Sequence, residues 1–290
     1  MPEKLRALRI SDHQAVNELC MGIWGGRDYV PDRFPKWIGN NLNYPFGIFD
    51  GPVLQAIGNL EIKSANKAGW VKGLRVRESA RRRGLASKIV NQMILKAKQI
   101  GMDTLRYATS SRNIASMKVA ENLGFALKND VRYFRLEPPF PPHPSPSPSI
   151  IPLQVLPKRL HEILETTDLV QSETFPIRWE FHNKDISSLE EILEREIPQV
   201  VFGDTGKAES LTFVYTFERD GQKTTAFSIY STNRTVFVDI FSRALDYLEA
   251  TKTDRAVFFL GPRAETWVEY IIEIPEEFAG RRFILYEMKL

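Results

Sequence analysis

The chain has 290 residues, room for two domains of ordinary size. With 43% hydrophobic, 26% charged and 11% aromatic residues it is composed like a globular protein, which excludes collagen-like and low-complexity classes. Its one cysteine, Cys20, excludes an intramolecular disulfide framework and a thiolate zinc site.

The start MPEKLRALRI is charged where a signal peptide is apolar, and no apolar run approaches the roughly 20 residues that span a bilayer. A cytoplasmic chain with no membrane partner is expected. The net charge of +3 is divided unequally. Residues 1–150 hold 23 Lys/Arg against 12 Asp/Glu, a balance of +11, whereas 151–290 hold 16 against 24, a balance of −8. The basic half is expected to hold any anionic ligand; simple attraction between two oppositely charged domains is the competing explanation.

In chain order, a strand is predicted over Leu5 to Ile10 and, after the capping oxygens of Ser11 and Asp12, a helix from about His13 to Ile23. The loop Gly25 to Pro31 leads to a short helix, Pro31 to Ile38. Strands at Phe46 to Phe49, Val53 to Lys63 and Trp70 to Arg77 form a meander, the first two joined by the Asp50-Gly51 turn. Leu85, Ile89, Val90, Met93, Ala97 and Ile100 lie on one helical face that Gly101 ends. A strand (Thr104 to Ser110), a helix (Ile114 to Asn122) and a strand (Val131 to Glu137) follow.

The run PPFPPHPSPSPSIIP then reads as a stiff polyproline connector, roughly 45 Å long at about 3.1 Å per residue. Beyond it a hairpin is expected from Leu211 to Phe217 and Thr224 to Tyr230 around Asp220-Gly221. Helix Val236 to Glu249, strand Arg255 to Leu260, helix Ala264 to Ile272 and strand Phe283 to Lys289 complete the chain. The expected domains are therefore 1–137 and 153–290, with 138–152 as linker; the second loosely repeats the element order of the first.

The stretch from Trp70 to Ala86 takes a strand through a glycine-containing turn directly into the amphipathic helix. Free amides and the helix dipole at such a start attract a phosphate or diphosphate. Gly84 permits close approach, Ala86 is small, and Arg81, Arg82, Arg83 and Lys88 raise the local potential. The competing reading is a basic surface turn or a nucleic-acid patch. Against nucleic acid, the motif is confined to one turn and has no interleaved aromatics.

Arg81, Gly84 and Ala86 in the spacing R-x-x-G-x-A, together with NIASMKVAENLGF from Asn113 to Phe125, resemble the two cofactor motifs of the GNAT acetyltransferase superfamily. The resemblance covers residues 1–137. It implies an α/β (α+β) fold of tandem GNAT-like domains, each a mixed, mostly antiparallel sheet flanked by helices, with the second degenerate. It also implies acetyl-CoA as donor. The backbone around Leu74, Arg75 and Val76 would hold the pantetheine arm, Arg81, Arg82, Arg83, Gly84, Leu85, Ala86 and Ser87 the pyrophosphate, and Asn113 and Ser116 further cofactor atoms. A narrower likeness of GIWGGRDYVP, Trp37 and Gly73-Leu-Arg-Val76 to the histidine N-acetyltransferase-like branch suggests an amino acid or similar small amine as acceptor.

Transfer to an amine needs a neutral nitrogen, a donor for the oxyanion and a proton for the thiolate. The family often places a tyrosine acid where this chain has Ala120. Tyr107 and Tyr133 are the substitutes, and Glu61 is the candidate base; each also reads as an ordinary strand residue. Arg27, Asp28 and Tyr29 are candidate acceptor ligands, for a carboxylate, an ammonium and a side chain respectively. His13, His143, His161 and His182 lack ligand spacing, so no metal is expected. The expected function is acetyl-CoA-dependent N-acetylation of a small amine, by a possible homodimer. A nonenzymatic acyl-CoA-binding module and a protein lysine or N-terminal acetyltransferase are the alternatives.

Overall fold

The computed structural model describes residues 3–26, 28–63, 67–193, 197–219 and 221–290. The chain runs β1 (Lys4–Ala7), α1 (His13–Cys20), α2 (Val30–Ile38), β2 (Asn43–Asp50), β3 (Val53–Lys63), β4 (Ala68–Val76), α3 (Leu85–Gln99), β5 (Thr104–Ser110), α4 (Ile114–Asn122) and β6 (Ala126–Leu136). It continues through β7 (Leu153–Gln154), α5 (Pro157–Thr166), β8 (Thr174–Ile177), β9 (Glu180–Asn183), α6 (Ile186–Leu193), β10 (Gln199–Phe202), β11 (Ala208–Arg219) and β12 (Gln222–Ser231). α7 (Arg234–Ala250), β13 (Arg255–Leu260), α8 (Ala264–Trp267) and β14 (Arg282–Lys289) end it. Among the described residues, no helix is long and apolar enough to cross a membrane.

The compact units do not follow a cut at the proline-rich run. One comprises Met1–Thr109, Asn113–Lys128 and Leu285–Leu290; the other comprises Ser110–Arg112 and Asn129–Ile284. The last residues of the chain therefore belong with the first unit, while most of β6 and the whole proline-rich run belong with the second.

In the first unit the sheet order is β1-β2-β3-β4-β5, with the end of β14 beside β5. β1 to β4 pair antiparallel and β4 pairs with β5 in parallel. The chain end is fixed there by Arg106 Nε on Glu287 at 2.8 Å and by the Leu290 amide on the Asp103 carbonyl at 3.0 Å. α3 buries Leu85, Ile89, Val90, Met93 and Ala97, the spacing of one helical face. Gly101, at φ +75°, stops it, and the Met102 amide returns to the Ala97 carbonyl. Val16, Leu19 and Cys20 of α1 pack with Val30, Phe34 and Trp37 of α2 against Leu54 and Ile57.

The second unit has the order β6-β13-β12-β11-β10-β7 and a separate β8–β9 hairpin. Its long hairpin β11–β12 leads through α7 to β13, which pairs with β12 in parallel. Leu160, Phe175, Leu189, Val200 and Phe213 lie in one buried cluster. The proline-rich run is fastened along α7: Arg243 donates to the Ser147 and Ile150 carbonyls at 2.6 and 2.8 Å, and Asp239 accepts from the Ser147 amide.

Candidate functional site

The first unit's chemistry gathers where β4 and β5 part. Their parallel ladder runs from Ala68–Thr104 to Val71–Tyr107 and stops, although β4 continues to Val76 and β5 to Ser110. The cause is a bulge: the β3–β4 register slips between Ile57 and Asn59, so that Gly73 and Leu74 face a single residue. Gly73 has φ +57°, and a Cβ there would lie 2.4 Å from the Trp37 ring, so both conformation and space call for glycine. The Gly73 amide donates to the Tyr29 hydroxyl at 3.2 Å. Beyond Val71 the edge of β4 is left without a strand partner on the β5 side, and the backbone of Leu74, Arg75 and Val76 lies along it.

Beyond β4, a short turn ends at Arg82 (φ +64°) and Gly84 (φ +74°), after which α3 begins. α3 has no side-chain cap, and the amides of Arg82 to Ser87 donate to no acceptor among the described residues. Ala80 and Leu85 are buried, whereas Arg81, Arg82, Arg83 and Gly84 are exposed. A Cβ on Gly84 would meet nothing within 4 Å, so a side chain there projects into the open space in front of these amides. Glu3 receives Arg83 at 2.7 Å and Lys88 at 2.6 Å; the bond from Lys88, ahead of the attraction of both cations, lowers its pKa.

Register places Glu61 opposite Trp70, which lies beside Arg106, and places Leu60 opposite Val71, which lies beside Tyr107. Because strand side chains alternate, Glu61 and Tyr107 stand at one level of the sheet on opposite faces. Glu61 is half-buried between Lys63 at 3.6 Å and Lys72 at 3.8 Å. Tyr107 is buried, bonds to the Ser116 hydroxyl of α4 and packs edge-on against Phe125. Burial raises its pKa, opposed by the Ser116 bond and the charge of Arg75. Ala120 is fully buried.

Other expected ligands are placed differently. Asp28 is 4% exposed and accepts Arg75 Nε at 2.7 Å and a second Arg75 nitrogen at 2.8 Å, as well as the Val30 amide. Its carboxylate is a structural partner of Arg75, not an open ammonium site; burial of the unpaired acid and base would be too costly, so they pair. Tyr29 sits over the Arg75 guanidinium at 5.3 Å and supports the bulge. Arg27 lies outside the described residues. The Asn113 side chain caps α4 by accepting the Ser116 amide at 3.2 Å. Tyr133 belongs to the second unit, where its hydroxyl donates to Ser110 at 2.9 Å within an aromatic cluster. Cys20 is buried, and desolvation followed by the nearby Asp28 pushes its pKa up to about 12, the behaviour of an inert core thiol. Among the described residues, no three His, Cys, Asp or Glu side chains are grouped to hold a metal.

The sequence reading named Gly73 within a motif but did not read it as a bulge, although a glycine inside a strand run is a signal for one. It also missed the Tyr107–Ser116 pair, which depends on the packing of β5 against α4 and leaves no local signature.

A parallel strand pair that opens beside a bulge, with uncapped amides beyond it, offers an edge for an extended arm and donors for an anion. Residues 13–125 match the model of the acetyltransferase (GNAT) family, so the chain carries a GNAT acetyltransferase domain over that stretch. No curated protein sequence matches it. Among solved structures, the chain is similar to a GCN5-related N-acetyltransferase from Sphaerobacter thermophilus, at 12% identity and TM-score 0.62 over 99% of this chain and 95% of that one. A tandem GNAT protein from the clavulanic acid biosynthesis pathway is 11% identical, with TM-score 0.61 over 99% and 98% of the two chains. The glucosamine N-acetyltransferase region of a fungal multi-domain GH3 β-N-acetylglucosaminidase is 12% identical, with TM-score 0.65 over 99% of this chain and 38% of that one. At these identities the likeness is one of fold.

Proposed function

We propose that this protein transfers an acetyl group from acetyl-CoA to the primary amine of a small molecule, with amino acids among its acceptors. The observation that carries this reading is the end of the β4–β5 ladder at Val71–Tyr107, directly before the bulge at Gly73. An extended amide-containing arm fits the free edge of β4, and a diphosphate fits the unpartnered amides of Arg82 to Ser87. Bound there, acetyl-CoA supplies an acyl group activated as a thioester.

Glu61 takes the amine's proton, directly or through water, from one face of the sheet. A backbone amide in the Leu74 to Val76 segment supports the oxyanion as the nitrogen–carbon bond forms. On the other face Tyr107, held by Ser116, gives its proton to the departing sulfur. Positioning alone can lower the barrier by about 7 to 11 kcal/mol, so Ala120 at the family's tyrosine position is compatible with turnover. The same reading places the enzyme in the cytoplasm, as a possible homodimer, with a small amine rather than a nucleic acid or a membrane as its partner, and assigns it no metal.

The test follows free-thiol release from acetyl-CoA across amino acids, polyamines, aminoglycosides and peptides, comparing the native chain with Gly84→Trp. Turnover with a small amine, and at least a hundredfold loss of coenzyme A affinity in the variant with its fold intact, are expected. The left-handed φ at Gly84 makes that replacement cost about 1 kcal/mol of stability. Equal affinity in the two proteins overturns the site. Binding without turnover across the whole panel replaces the enzyme with an acyl-CoA-binding module, and turnover confined to peptides replaces the acceptor class.

A further inference from the structure

The second unit holds two guanidiniums that form no ion pair with a carboxylate among the described residues. Around them each neighbouring arginine is paired: Arg132 with Glu269 at 2.6 Å, Arg255 with Glu137 at 3.1 Å, and Arg282 with Asp130 and with Glu265, the latter at 3.1 Å. Arg135 and Arg281 have no carboxylate partner among the described residues. The Nε atoms of both are buried without a hydrogen bond. Among the described residues, the one side-chain bond of the pair is from Arg281 to the Tyr133 hydroxyl, at 3.4 Å.

These two cations share aromatic walls. Arg135 lies 5.7 Å from the Trp179 ring and 5.9 Å from that of Phe278; Arg281 lies 4.2 Å from Phe278 and 5.8 Å from Tyr133. Arg135, Arg281 and Trp179 remain half-buried, so each keeps part of its side chain accessible to solvent. Trp179 lies in the β8–β9 turn, where Arg178 adopts φ +60°; a non-glycine residue held left-handed is the kind of strain found at ligand sites. Burial, with the like charges of Arg255 and Arg281, lowers the Arg135 pKa against the opposing influence of Tyr133 and Glu137.

We propose that Arg135 and Arg281 form a binding site for an organic carboxylate with an aromatic or alkyl body, the acid group held between the guanidiniums and the body against Trp179 and Phe278. Two guanidinium forks match the geometry of a carboxylate. The aromatic walls favour an apolar body and give nothing to a strongly hydrated inorganic anion. The site goes beyond the acyl-transfer reading and does not depend on it, since it is measured without acetyl-CoA.

The test is calorimetric titration of the full chain with 3-phenylpropionate, 3-phenylpropan-1-ol and inorganic phosphate. The acid is expected to bind, the alcohol to give no heat and phosphate to bind at least tenfold more weakly than the acid. Arg281→Gln, Arg135→Gln and Trp179→Ala should each weaken the acid at least tenfold, with coenzyme A affinity unchanged. Arg135→Met should raise the melting temperature of the unliganded chain, because it removes an unpaired charge. Absence of binding to the native chain, equal binding of acid and alcohol, phosphate binding as tightly as the acid, or unchanged affinity in the folded variants each overturns the proposal. If Arg135→Gln does not fold, the Arg281 and Trp179 variants and the three-ligand comparison on the native chain still decide it.

Discussion

The two units each contain an antiparallel pair that leads through one long helix to a parallel strand, and they finish that motif in opposite ways. In the first, the β4–β5 ladder has four pairs and then opens, with five residues of β4 still to come. In the second, the β12–β13 ladder has six pairs and uses every residue of β13, and the Gly261 amide extends it onto the Ile229 carbonyl. The helix starts differ in the same sense. α3 begins at an uncapped glycine, whereas the Asn233 side chain of the second unit accepts the amides of Thr235 and Val236 at 2.9 and 3.4 Å. Glu209 then takes the Asn233 side-chain nitrogen at 2.9 Å, which holds the capping side chain in place. Related topology thus gives an open slot with unused donors in one unit and a closed, self-satisfied one in the other. A binding site for a nucleotide thioester depends on what the backbone leaves unpaired, not on the order of elements.

The sharpest way to break the open unit is at the pair that underlies its bulge. Asp28→Ala leaves the Arg75 guanidinium beside β4 without its carboxylate, and removing one member of such a buried pair costs about 3 to 5 kcal/mol. Chemical denaturation is expected to show that loss, together with weakened coenzyme A binding. A double replacement by apolar residues, Asp28→Leu with Arg75→Met, should recover most of the stability; failure to recover would mean that the charges themselves hold the bulge.

Next in size is Tyr107→Phe, which removes a hydroxyl from the open unit without altering the slot. A loss of about tenfold to a hundredfold in kcat is expected, with KM for acetyl-CoA nearly unchanged. Because burial raises the Tyr107 pKa above the usual value, the acid stays protonated through the ordinary tyrosine range. The native enzyme should therefore lose activity only at pH values above about 10, and that alkaline limb should be absent from the variant. A pH profile identical in both proteins would remove Tyr107 from the reaction.

A smaller effect tests the closed unit. Asn233→Ala strips the cap from α7 and should cost about 1 kcal/mol. Acetyl transfer should be unaffected, since the slot lies in the first unit. If activity fell in step with stability, the two units would not be energetically separate.

Much of the first unit was legible because its signals are local. The α3 face, its Gly101 stop, and β3, β5 and α4 have the predicted bounds or lie within one residue of them. β1 is shorter than predicted, since the chain turns at Ile10–Asp12. The second unit was less legible where its elements are short or interrupted: β8 contains Pro176, and β8 and β9 meet at a left-handed Arg178. α5 was missed despite the helical spacing of Leu160, Ile163 and Leu164 and a proline at its start. The predicted helix from Ala264 to Ile272 tightens after Trp267 into a 3₁₀ turn. The return of Leu285–Leu290 to the first unit could not be read, because pairing between strands far apart in sequence leaves no local pattern. In the site, the R-x-x-G-x-A turn was visible and the Asp28–Arg75 pair was not, since 47 residues separate its members.

The proline-rich run offers the finest distinction. Read only as a stiff connector, it should be indifferent to pH; fastened along α7, it should not be. His143 donates from Nδ1 to the Pro141 carbonyl at 3.1 Å and from Nε2 to Asp246 at 3.0 Å, an arrangement that uses both protons of the imidazolium. Burial pulls the His143 pKa down, but the bonds to Asp246 and Pro141 and the charge of Asp246 outweigh it and leave the pKa raised. A raised pKa means that the native state binds the proton more tightly than the unfolded chain. The contribution is thus complete below about pH 6.5 and disappears as pH rises through the native pKa. With Asp246 largely exposed, solvent screening holds the effect to about 0.5 kcal/mol or less. His143→Ala should therefore lower the melting temperature at pH 6 and leave it nearly unchanged at pH 8.5, with hydrogen exchange of the Ser147 amide faster only at the lower pH. An equal decrease at both values would mean that the ring acts by packing, and that the fastening of this segment rests on Arg243 and Asp239 alone.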